Sequence, residues 1–412
     1  MKILFIHQNF PGQFKLIASR LAQEGHEIIA LMINRAEVLK SKEGNINKIY
    51  YEVDEKSTEN IHPWIVDFET QLIRAKAVHL RLKRLANETN YKPDIILGHG
   101  GWGELHLIKN LWKDVKLITY MEYFYKYEYL ESIFDKKIPH NNTKNEEYIY
   151  YKNLNNIVAN NTSDINLFPT NWQYENYPNE YRSKGVVIHD GVLTENFNSK
   201  NIDEIKINKE NKKFTLKKGE DICIYINRNL DAIRGMHQFA EFAEKIIKIN
   251  QKIKIIVVGS IEFSYSSDEI SNIRKSSIDK LMKNIDQKAK DRIFFLGKIK
   301  HEELKALYKI SKINIYITMP FPLSWSMLES MAATCMVVGS DTGPVKEIIQ
   351  NRDNGVLFEY GNIPELIKIV QYYLNNEIQR IKIAKNGEKY IKENYDFDRI
   401  IFPKYKKLLG LS

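Results

Sequence analysis

Short apolar runs alternate with longer amphipathic stretches along the first part of the chain. Residues 2–6 are apolar, a polar loop and an amphipathic stretch follow to about residue 22, and residues 26–31 are apolar again. The same order recurs as far as the apolar run at 116–120. Apolar runs of this length indicate buried strands, and a strand–helix–strand repeat is typical of a parallel sheet covered by helices. The pattern therefore predicts an α/β domain.

The same rhythm restarts after a polar interruption. Residues 196–220 are lysine-rich and show no helical or strand periodicity over most of their length, which is typical of a linker. Beyond the linker we predict strands at 222–226, 253–258, 293–296, 313–317 and 336–339, with helices at 235–248, 278–284, 302–311 and 326–333. The chain is therefore predicted to contain two α/β domains of similar size with a hinge between them.

Composition narrows the class of protein. Of 412 residues, 43% are hydrophobic and 27% are charged, which is typical of a globular protein rather than a disordered one. The two cysteines, Cys223 and Cys335, lie far apart in apolar stretches, which excludes a disulfide scaffold and suits a reducing compartment. The opening residues do not predict a signal peptide, and no apolar run approaches the roughly 18 residues of a membrane span. We therefore expect a soluble cytoplasmic protein.

Net charge is less informative than the placement of glycine. A formal charge of +9 suits nucleic acid, anionic lipid or an anionic small substrate, and also simple solubility. The 19 glycines are few for this length, so their clusters mark places where the backbone requires them. One such cluster follows the apolar run at 94–97.

The glycine-rich loop at 98–103 satisfies the G-x-G-x-x-G spacing of a dinucleotide site. It lies between a predicted strand and a predicted helix, and Glu122 follows the next strand. However, the loop lies deep in the domain instead of after its first strand, and His99 and Trp102 crowd the turn. These features favour a glycine-rich ligand loop of another kind over NAD binding.

Two further loops carry residue types that suit an anion. Gly12 stands beside the start of the first helix, where backbone N–H groups and the helix dipole favour negative charge. Arg228 and Arg234 follow the first strand of the second domain, at the sheet edge where open α/β sheets bind ligands. Guanidinium groups bind a diphosphate through two-point contacts. A pair of surface arginines explains the second loop equally well.

The helix predicted at 326–333 combines capping residues with an unexpected carboxylate. Ser324 and Ser326 suit the start of the helix, where free N–H groups can face an anion. Glu329 lies in an otherwise apolar stretch, and burial of a carboxylate is costly without a partner. We therefore expect a specific partner for Glu329.

These segments, in this order, resemble the family 4 retaining glycosyltransferases of the GT-B fold, and the resemblance covers nearly the whole chain. The most specific match is SMLESMAATCMVVGSDTGPVKEII, which is similar to the family's LEAMA-to-GG signature. The other segments are similar to the opening strand and donor-facing loop (MKILFIHQNFPGQF), the strand with the active-site histidine (PDIILGHGGWGE), the turn before the linker (VVIHDGV), the phosphate clamp (INRNLDAIRG) and the nucleobase segment (FFLGKIKHEELKALY).

The resemblance implies an architecture and a set of site residues. It implies two Rossmann-like domains, 1–195 and 221–395, which face each other across a cleft, and a C-terminal helix within 396–412 that crosses back to the first. The implied catalytic residues are His99, Arg228, Arg234 and Glu329, and His99 is expected to contact the donor sugar near the reacting carbon. The implied donor-binding residues are Gly12, Asn227, Gly259, Lys298, Ile299, Ser324, Trp325, Ser326 and Met327.

The resemblance also implies the reaction. Family members transfer a sugar with retention of anomeric configuration, without a metal ion, and with the leaving phosphate taking the acceptor proton. The expected donor is a UDP-sugar or a GDP-sugar, no other cofactor is expected, and the expected acceptor is a glycan or a lipid-linked molecule. Synthesis of cell-surface polysaccharide or glycoconjugate, at the inner face of the membrane and without nucleic acid, would suit such a protein.

Two positions depart from the family pattern. The first glutamate of E-x7-E is replaced by Phe321, and in the family that residue helps to hold the donor sugar, a role that the SWS tripeptide could take over. The usual lysine of the clamp is Arg234, which keeps the charge. Three alternatives therefore stay open: a catalytically silent nucleotide-sugar-binding protein, a nucleotide-sugar epimerase of the same fold, and a nicotinamide-dependent oxidoreductase.

A tyrosine-rich segment at 121–155 interrupts the α/β rhythm. This segment could contact a lipid surface or an acceptor glycan. Its positive and negative charges nearly balance, which favours a simple excursion packed on the domain.

Overall fold

The computed structural model describes residues 1–33, 45–138, 145–197, 202–209, 212–260 and 268–411. The chain divides into two compact units. Unit 1 draws on Met1–Tyr127, Asn141–Asp190 and Phe397–Ser412, and unit 2 draws on Glu128–His140 and Gly191–Asp396. Each unit is organised around its own parallel sheet.

Unit 1 contains a seven-stranded sheet in the order β3-β2-β1-β4-β5-β6-β7, with every neighbouring pair parallel. The strands are β1 Lys2–Ile6, β2 Glu27–Ile33, β3 Ile46–Tyr51, β4 Ile95–His99, β5 Lys116–Tyr120, β6 Ile165–Phe168 and β7 Gly185–Val187. The central strands are buried on both faces, as their continuous apolar runs predict. The outermost strand β3 is only partly buried, and its sequence mixes polar with apolar residues.

Within the described residues, eight helices accompany these strands in the sequence. They are α1 Lys15–Gln23, α2 Val66–Thr89, α3 Ile108–Leu111, α4 Glu131–Phe134, α5 Glu146–Lys152, α6 Leu154–Thr162, α7 Asn171–Asn176 and α8 Asn179–Arg182. The long helix α2 buries Ala75, Val78 and Leu82, which are three or four residues apart and therefore share one face. Helix α4 belongs to unit 2, and the other seven belong to unit 1.

Unit 2 contains a hairpin and a six-stranded parallel sheet in the order β12-β11-β10-β13-β14-β15. The hairpin strands are β8 Glu204–Lys209 and β9 Lys212–Lys217, and the sheet strands are β10 Ile222–Asn229, β11 Lys254–Ser260, β12 Ile293–Phe295, β13 Ile313–Tyr316, β14 Met336–Ser340 and β15 Val356–Phe358. The order of the sheet reverses between β10 and β13, a position at which open α/β sheets bind ligands.

The hairpin corrects the expectation of an irregular linker at 196–220. Strands β8 and β9 pair antiparallel, and Ile205, Ile207, Phe214 and Leu216 pack against the core of unit 2. These four residues alternate with polar ones at the spacing of two that a strand requires. The alternation spans only a few residues between lysines, so the pattern was too short to predict a strand.

The remaining helices cover the unit 2 sheet or close the chain. They are α9 Met236–Ile249, α10 Asp268–Asn284, α11 Gln287–Lys290, α12 His301–Ile310, α13 Trp325–Ala332, α14 Gly343–Ile348, α15 Ile363–Asn375, α16 Glu377–Asn394 and α17 Phe402–Leu409. Helix α10 is longer than the predicted 278–284. Helix α17 belongs to unit 1, where Arg20 Nε lies 2.6 Å from Asp398 Oδ1 and Lys116 Nζ donates to the Leu408 carbonyl at 2.7 Å.

Residues 128–138 form a docked segment that belongs to unit 2, although the chain on either side of it belongs to unit 1. The buried carboxylate of Asp135 lies 2.8 Å from His237 Nε2 and accepts a hydrogen bond from Gln238 Nε2 at 2.9 Å. The Tyr360 hydroxyl donates to the same carboxylate oxygen at 3.0 Å. The tyrosine-rich segment is therefore divided between the two units, and the expectation of a simple excursion on one domain is wrong.

Gly235 provides a test of the packing in unit 2, at the start of α9. Its φ of +69° is a conformation that favours glycine, and a Cβ there would lie 2.3 Å from Ile317 Cγ2. We expect Gly235→Ala to lower the free energy of unfolding by about 3 kcal/mol, because backbone strain and overpacking each contribute roughly 1–2 kcal/mol. Urea unfolding of the full chain measures the change.

Gly361→Ala is the matched control for this prediction. Gly361 has a φ of +86°, but no heavy atom lies within 4 Å of the position that its Cβ would take. We expect this variant to lose only the backbone contribution, roughly 1 kcal/mol. Equal losses in the two variants would show that contact with Ile317 does not constrain the loop.

Candidate active site

In unit 1, the His99 ring lies buried at the carboxyl end of β4, with 1% of its side chain exposed. It stacks between the rings of Trp102 and Tyr120, at centroid distances of 5.8 and 5.4 Å. His99 Nδ1 accepts the backbone N–H of Gly101 at 3.0 Å. A neutral imidazole whose Nδ1 accepts a hydrogen bond carries its proton on Nε2, and this nitrogen lies 3.2 Å from Glu122 Oε2.

Gln13 and His7 complete a hydrogen-bonded row around Glu122. Gln13 Nε2 donates to Glu122 Oε1 at 2.9 Å, and Gln13 Oε1 lies 2.9 Å from His7 Nε2. His7 Nδ1 accepts the backbone N–H of Asn9, so His7 also carries its proton on Nε2 and donates to Gln13. No sequence pattern indicated Gln13 and His7, since neither belongs to a spacing that predicts a ligand.

Electrostatics make Glu122 the charged member of this row. Burial raises the pKa of its carboxyl, but hydrogen bonds from His99 and Gln13 outweigh burial and hold the pKa below its usual value. Burial and the neighbouring His99 lower the pKa of His7 to about 3, so His7 is neutral near pH 7. The Glu122 side chain is 34% exposed, whereas His99 lies behind it. Glu122 therefore presents an ionised carboxylate at the surface of unit 1.

Packing within unit 1 accounts for the glycines of the two predicted ligand loops. A Cβ on Gly12 would lie 2.5 Å from His7 Nε2, so glycine allows the His7–Gln13 hydrogen bond to form beneath the loop. In the G-x-G-x-x-G loop, a Cβ on Gly98 would lie 2.3 Å from Leu105, and one on Gly103 would lie 2.4 Å from the Gln71 carbonyl oxygen. Close packing thus explains the spacing that resembles a dinucleotide site.

In unit 2, Arg234 is held by the loops that follow β10 and β13. Its Nη1 donates to Thr318 Oγ1 at 3.0 Å and to the Tyr316 hydroxyl at 3.4 Å, and its Nη2 donates to the Pro322 carbonyl at 2.7 Å. A guanidinium has five N–H groups. Among the described residues, these three bonds leave two N–H groups of the guanidinium for a ligand. The same bonds hold the Arg234 side chain in one orientation.

Phe321 lies over Arg234 at the position of the missing glutamate. The guanidinium carbon lies 5.1 Å from the centroid of the Phe321 ring. A cation over an aromatic face is attracted by about 0.5–1 kcal/mol at a partly exposed site. A glutamate there would instead offset the positive charge of Arg234. Phe321 therefore leaves the positive charge of Arg234 undiminished.

The start of α13 adjoins the same group of side chains. Ser324 caps the helix, and its backbone N–H donates to the Tyr316 hydroxyl at 2.8 Å, the hydroxyl that also accepts from Arg234. Ser326 Oγ donates to the Ile226 carbonyl at 3.3 Å, which places the helix start beside the end of β10. There Asn227 is buried and Arg228 is exposed.

The other predicted residues of α13 differ in what they can offer. Trp325 is exposed, whereas Met327 is fully buried in the core, its backbone N–H donates to the Ser324 carbonyl at 3.2 Å and its own carbonyl accepts from Ser330 Oγ at 2.8 Å. Glu329 has the partners that its position requires: His301 Nε2 lies 3.0 Å from Oε1, and the Tyr308 hydroxyl lies 3.5 Å from Oε2. No sequence pattern indicated the contact between His301 and Glu329.

Gly259 lies near the end of β11, and Lys298 and Ile299 follow β12 at the same edge of the sheet. The Gly259 N–H donates to the Gly297 carbonyl at 3.0 Å, and a Cβ on Gly259 would lie 2.3 Å from the Asn227 carbonyl oxygen. Lys298 is exposed, and Ile299 is partly buried against the core. The carboxyl edge of the unit 2 sheet thus gathers the predicted donor-binding residues of this unit.

The described residues include no group of three or more His, Cys, Asp or Glu side chains placed to hold a metal ion. No helix in the same part of the chain is both long enough and apolar enough to cross a bilayer.

Family models match both halves of the chain. Residues 24–197 match the "Glycosyl transferase family 4 group", and residues 206–390 match "Glycosyl transferases group 1". An uncharacterised glycosyltransferase of Methanocaldococcus jannaschii is 28% identical over 71% of this chain and 68% of its own length. The N-acetyl-alpha-D-glucosaminyl L-malate synthase of Bacillus anthracis is 22% identical over 46% of this chain and 45% of its own length.

Solved structures share the fold over the full length. Anabaena HepE, crystallised with UDP-glucose, is 14% identical with a TM-score of 0.69, covering 100% of this chain and 99% of that one. Sucrose-phosphate synthase from Thermosynechococcus elongatus is also 14% identical, with a TM-score of 0.73 and the same coverage. Two consecutive family matches, two parallel α/β units and this fold likeness agree with the resemblance of the motifs. The chain therefore belongs to the group 1 glycosyltransferases of the family 4 type, enzymes with the GT-B fold.

Proposed function

We propose that this glycosyltransferase moves a sugar from a UDP-sugar or a GDP-sugar to a glycan or lipid-linked acceptor, with retention of anomeric configuration. The observation that carries the proposal is the fixed guanidinium of Arg234 at the carboxyl edge of the unit 2 sheet. An orientated cation with two N–H groups to spare suits a diphosphate, because charge-assisted hydrogen bonds are strongest when their donors are already in place.

In this proposal the nucleotide is bound by unit 2. Arg234 and Arg228 neutralise the diphosphate, and the N–H groups at the start of α13 add a partial positive charge. Glu329, held by His301, accepts hydrogen bonds from the ribose hydroxyls. The backbone of Lys298 and Ile299 borders the base.

The transferred sugar is placed beside Glu122 of unit 1, the carboxylate that His99, Gln13 and His7 surround. The ionised Glu122 carboxylate stabilises the positive charge that develops on the sugar ring as the leaving group departs. His99 acts on the sugar through Glu122, whose carboxylate it holds in place. This differs from the direct contact between His99 and the sugar that the resemblance implied.

The proposed reaction breaks one bond and forms one. The bond between the anomeric carbon and the β-phosphate oxygen breaks, and both of its electrons go to the phosphate. The acceptor hydroxyl oxygen bonds to the same face of that carbon, and its proton passes to the leaving phosphate oxygen. The net products are the glycosylated acceptor and a nucleoside diphosphate.

The acceptor and the compartment are further parts of the proposal. Cys223 and Cys335 are free, buried thiols, which supports a reducing compartment such as the cytoplasm. An acceptor for cell-surface polysaccharide or glycoconjugate synthesis, reached at the inner face of the membrane, would suit that location.

Nucleotide-sugar screening tests the proposal. We expect UDP-sugars or GDP-sugars to raise the melting temperature of the protein and to release free nucleoside diphosphate, with NMR showing retention in the product. If nucleotide-sugars stabilise the protein but no added acceptor leads to turnover, the result would favour the silent binding protein. The replacement of the first glutamate by Phe321 points to the same alternative. Conversion of the sugar without nucleotide release would indicate an epimerase, and stabilisation by NAD alone would overturn the glycosyltransferase.

A further inference from the structure

A row of aromatic side chains crosses the surface of unit 1 and ends beside Glu122. Trp64 and Tyr151 lie 5.5 Å apart between ring centroids, and Tyr151 stands one helical turn from Tyr148 on α5. We define the aromatic row as Trp64, Tyr151, Tyr148, Tyr125, Tyr123 and Trp172.

In the middle of the aromatic row, a lysine side chain lies between two tyrosine rings. Lys152 Nζ lies 4.9 Å from the centroid of the Tyr125 ring and 5.6 Å from that of Tyr148. Beyond Tyr125 the row continues to Tyr123 at 5.1 Å, and from Tyr123 to Trp172 at 6.4 Å. Tyr123 directly follows Glu122 in the chain, so the row leads to the carboxylate that is proposed to stabilise the sugar ring.

Solvent reaches the far end of the row. Tyr151 is 40% exposed, and its neighbour Tyr150, whose ring lies 5.7 Å away, is 65% exposed. Large side chains with one apolar face and one polar edge are typical of surfaces that bind another molecule.

Buried amide side chains fix the loop that carries the inner part of the row. Asn153 Nδ2 donates to the Tyr125 carbonyl at 2.9 Å, and its Oδ1 accepts the Tyr125 N–H at 3.0 Å. Asn156 Nδ2 donates to the Tyr123 carbonyl at 3.1 Å. A binding surface whose backbone is held in this way loses little conformational freedom when a ligand binds.

We propose that the aromatic row binds the sugar rings of a neutral glycan acceptor. The inference rests on the proposed function, and it names the substrate class of that same reaction. A sugar ring has an apolar C–H face that can lie on an aromatic ring, and a rim of hydroxyl groups that needs polar partners. The row supplies both, because tyrosine hydroxyls and the Lys152 ammonium stand beside the ring faces.

Charge favours a neutral glycan over an anionic membrane surface. The Lys152 ammonium lies 3.3 Å from Asp67, so its positive charge is paired. Glu146 and Glu147 are exposed at the start of the same helix. A membrane-binding surface usually combines aliphatic residues with surplus lysine or arginine, which attract anionic lipid. The balance of charge here offers no such attraction.

Affinity electrophoresis through gels that contain dextran, mannan, galactan or mixed-linkage β-glucan tests the proposal on the full chain. We expect at least one of these polysaccharides to retard the wild-type protein. Tyr151→Ala and Trp64→Ala should each raise the dissociation constant for that polysaccharide at least tenfold. Tyr151→Phe, which keeps the ring, should bind within threefold of the wild type.

Tyr372→Ala is the matched control, because Tyr372 is a 46% exposed tyrosine of unit 2 whose ring also contacts a second tyrosine. We expect its retardation to equal that of the wild type. Absence of retardation by all four polysaccharides, or equal retardation of Tyr151→Ala, would overturn the proposal. Binding to phosphatidylglycerol vesicles that requires Tyr151, with no retardation by polysaccharide, would also overturn it in favour of lipid.

Calorimetric binding of UDP and GDP to the same proteins separates the two proposals. We expect the row variants to bind nucleotide as the wild type does. If a row variant loses polysaccharide binding but still binds nucleotide, the loss is assigned to the aromatic row and not to the nucleotide site. Failure of the wild type to bind either nucleotide would instead overturn the proposed function.

Discussion

Replacement of Arg234 by alanine is expected to lower kcat/KM for the nucleotide-sugar donor by at least about 100-fold. The variant removes a charge whose orientation is fixed by Tyr316, Thr318 and the Pro322 carbonyl. A flexible cation would have to be ordered for each turnover, whereas Arg234 is already in position. Initial rates of nucleoside diphosphate release measure the loss, and calorimetry with the free nucleotide shows how much of it is binding.

Arg234→Lys is the informative companion variant. Lysine keeps the positive charge, but its ammonium group lacks the planar, forked set of donors with which Arg234 contacts three separate oxygens. We expect kcat/KM of this variant to be about tenfold below that of the wild type, and therefore above that of the alanine variant. If Arg234→Ala stayed within threefold of the wild type in both kcat/KM and nucleotide affinity, the diphosphate would have to bind elsewhere.

The periodic parts of the fold were predictable from the sequence. Apolar runs mark buried parallel strands such as Ile222–Asn229 and Ile313–Tyr316. The loops after those strands could then be placed at one sheet edge by topology alone. The motif order added the identity of the family.

Contacts between distant segments were not predictable in this way. Asp135 has the sequence context of a loop carboxylate, yet it lies buried beside His237 and Tyr360, about a hundred and two hundred residues further on. No periodic pattern marks a residue whose partners lie so far along the chain. The same holds for the contact of His301 with Glu329, and for that of Phe321 with Arg234.

The pairing of His99 with Glu122 in unit 1 was likewise not predictable from the sequence. The sequence placed Glu122 in a possible dinucleotide pattern and placed His99 in direct contact with the sugar. In the structure the two side chains pair, and Glu122 is the one that reaches the surface. Relative exposure depends on how β4, β5 and α1 pack, so motif spacing alone could not assign it.

Glu122→Gln is expected to reduce kcat about 100-fold at pH 6 while the affinity for free nucleotide is unchanged. Glutamine keeps the shape of the side chain and can still accept from Gln13, but it carries no charge to stabilise a cationic sugar ring. The pKa of Glu122 lies below its usual value, so the wild-type carboxylate is ionised at pH 6 and the substitution removes a full charge. Single-turnover rates of sugar transfer measure the effect.

Glu104→Gln is the control for this prediction, because Glu104 is a buried glutamate of the same unit with the opposite electrostatics. Burial raises its pKa to about 7, although a hydrogen bond from the Tyr51 hydroxyl opposes the rise. At pH 6 Glu104 is therefore mostly protonated, so its replacement changes little charge, and we expect kcat to stay within threefold of the wild type. An equal loss of kcat in both variants would assign the effect to packing around His99 instead of to the negative charge of Glu122.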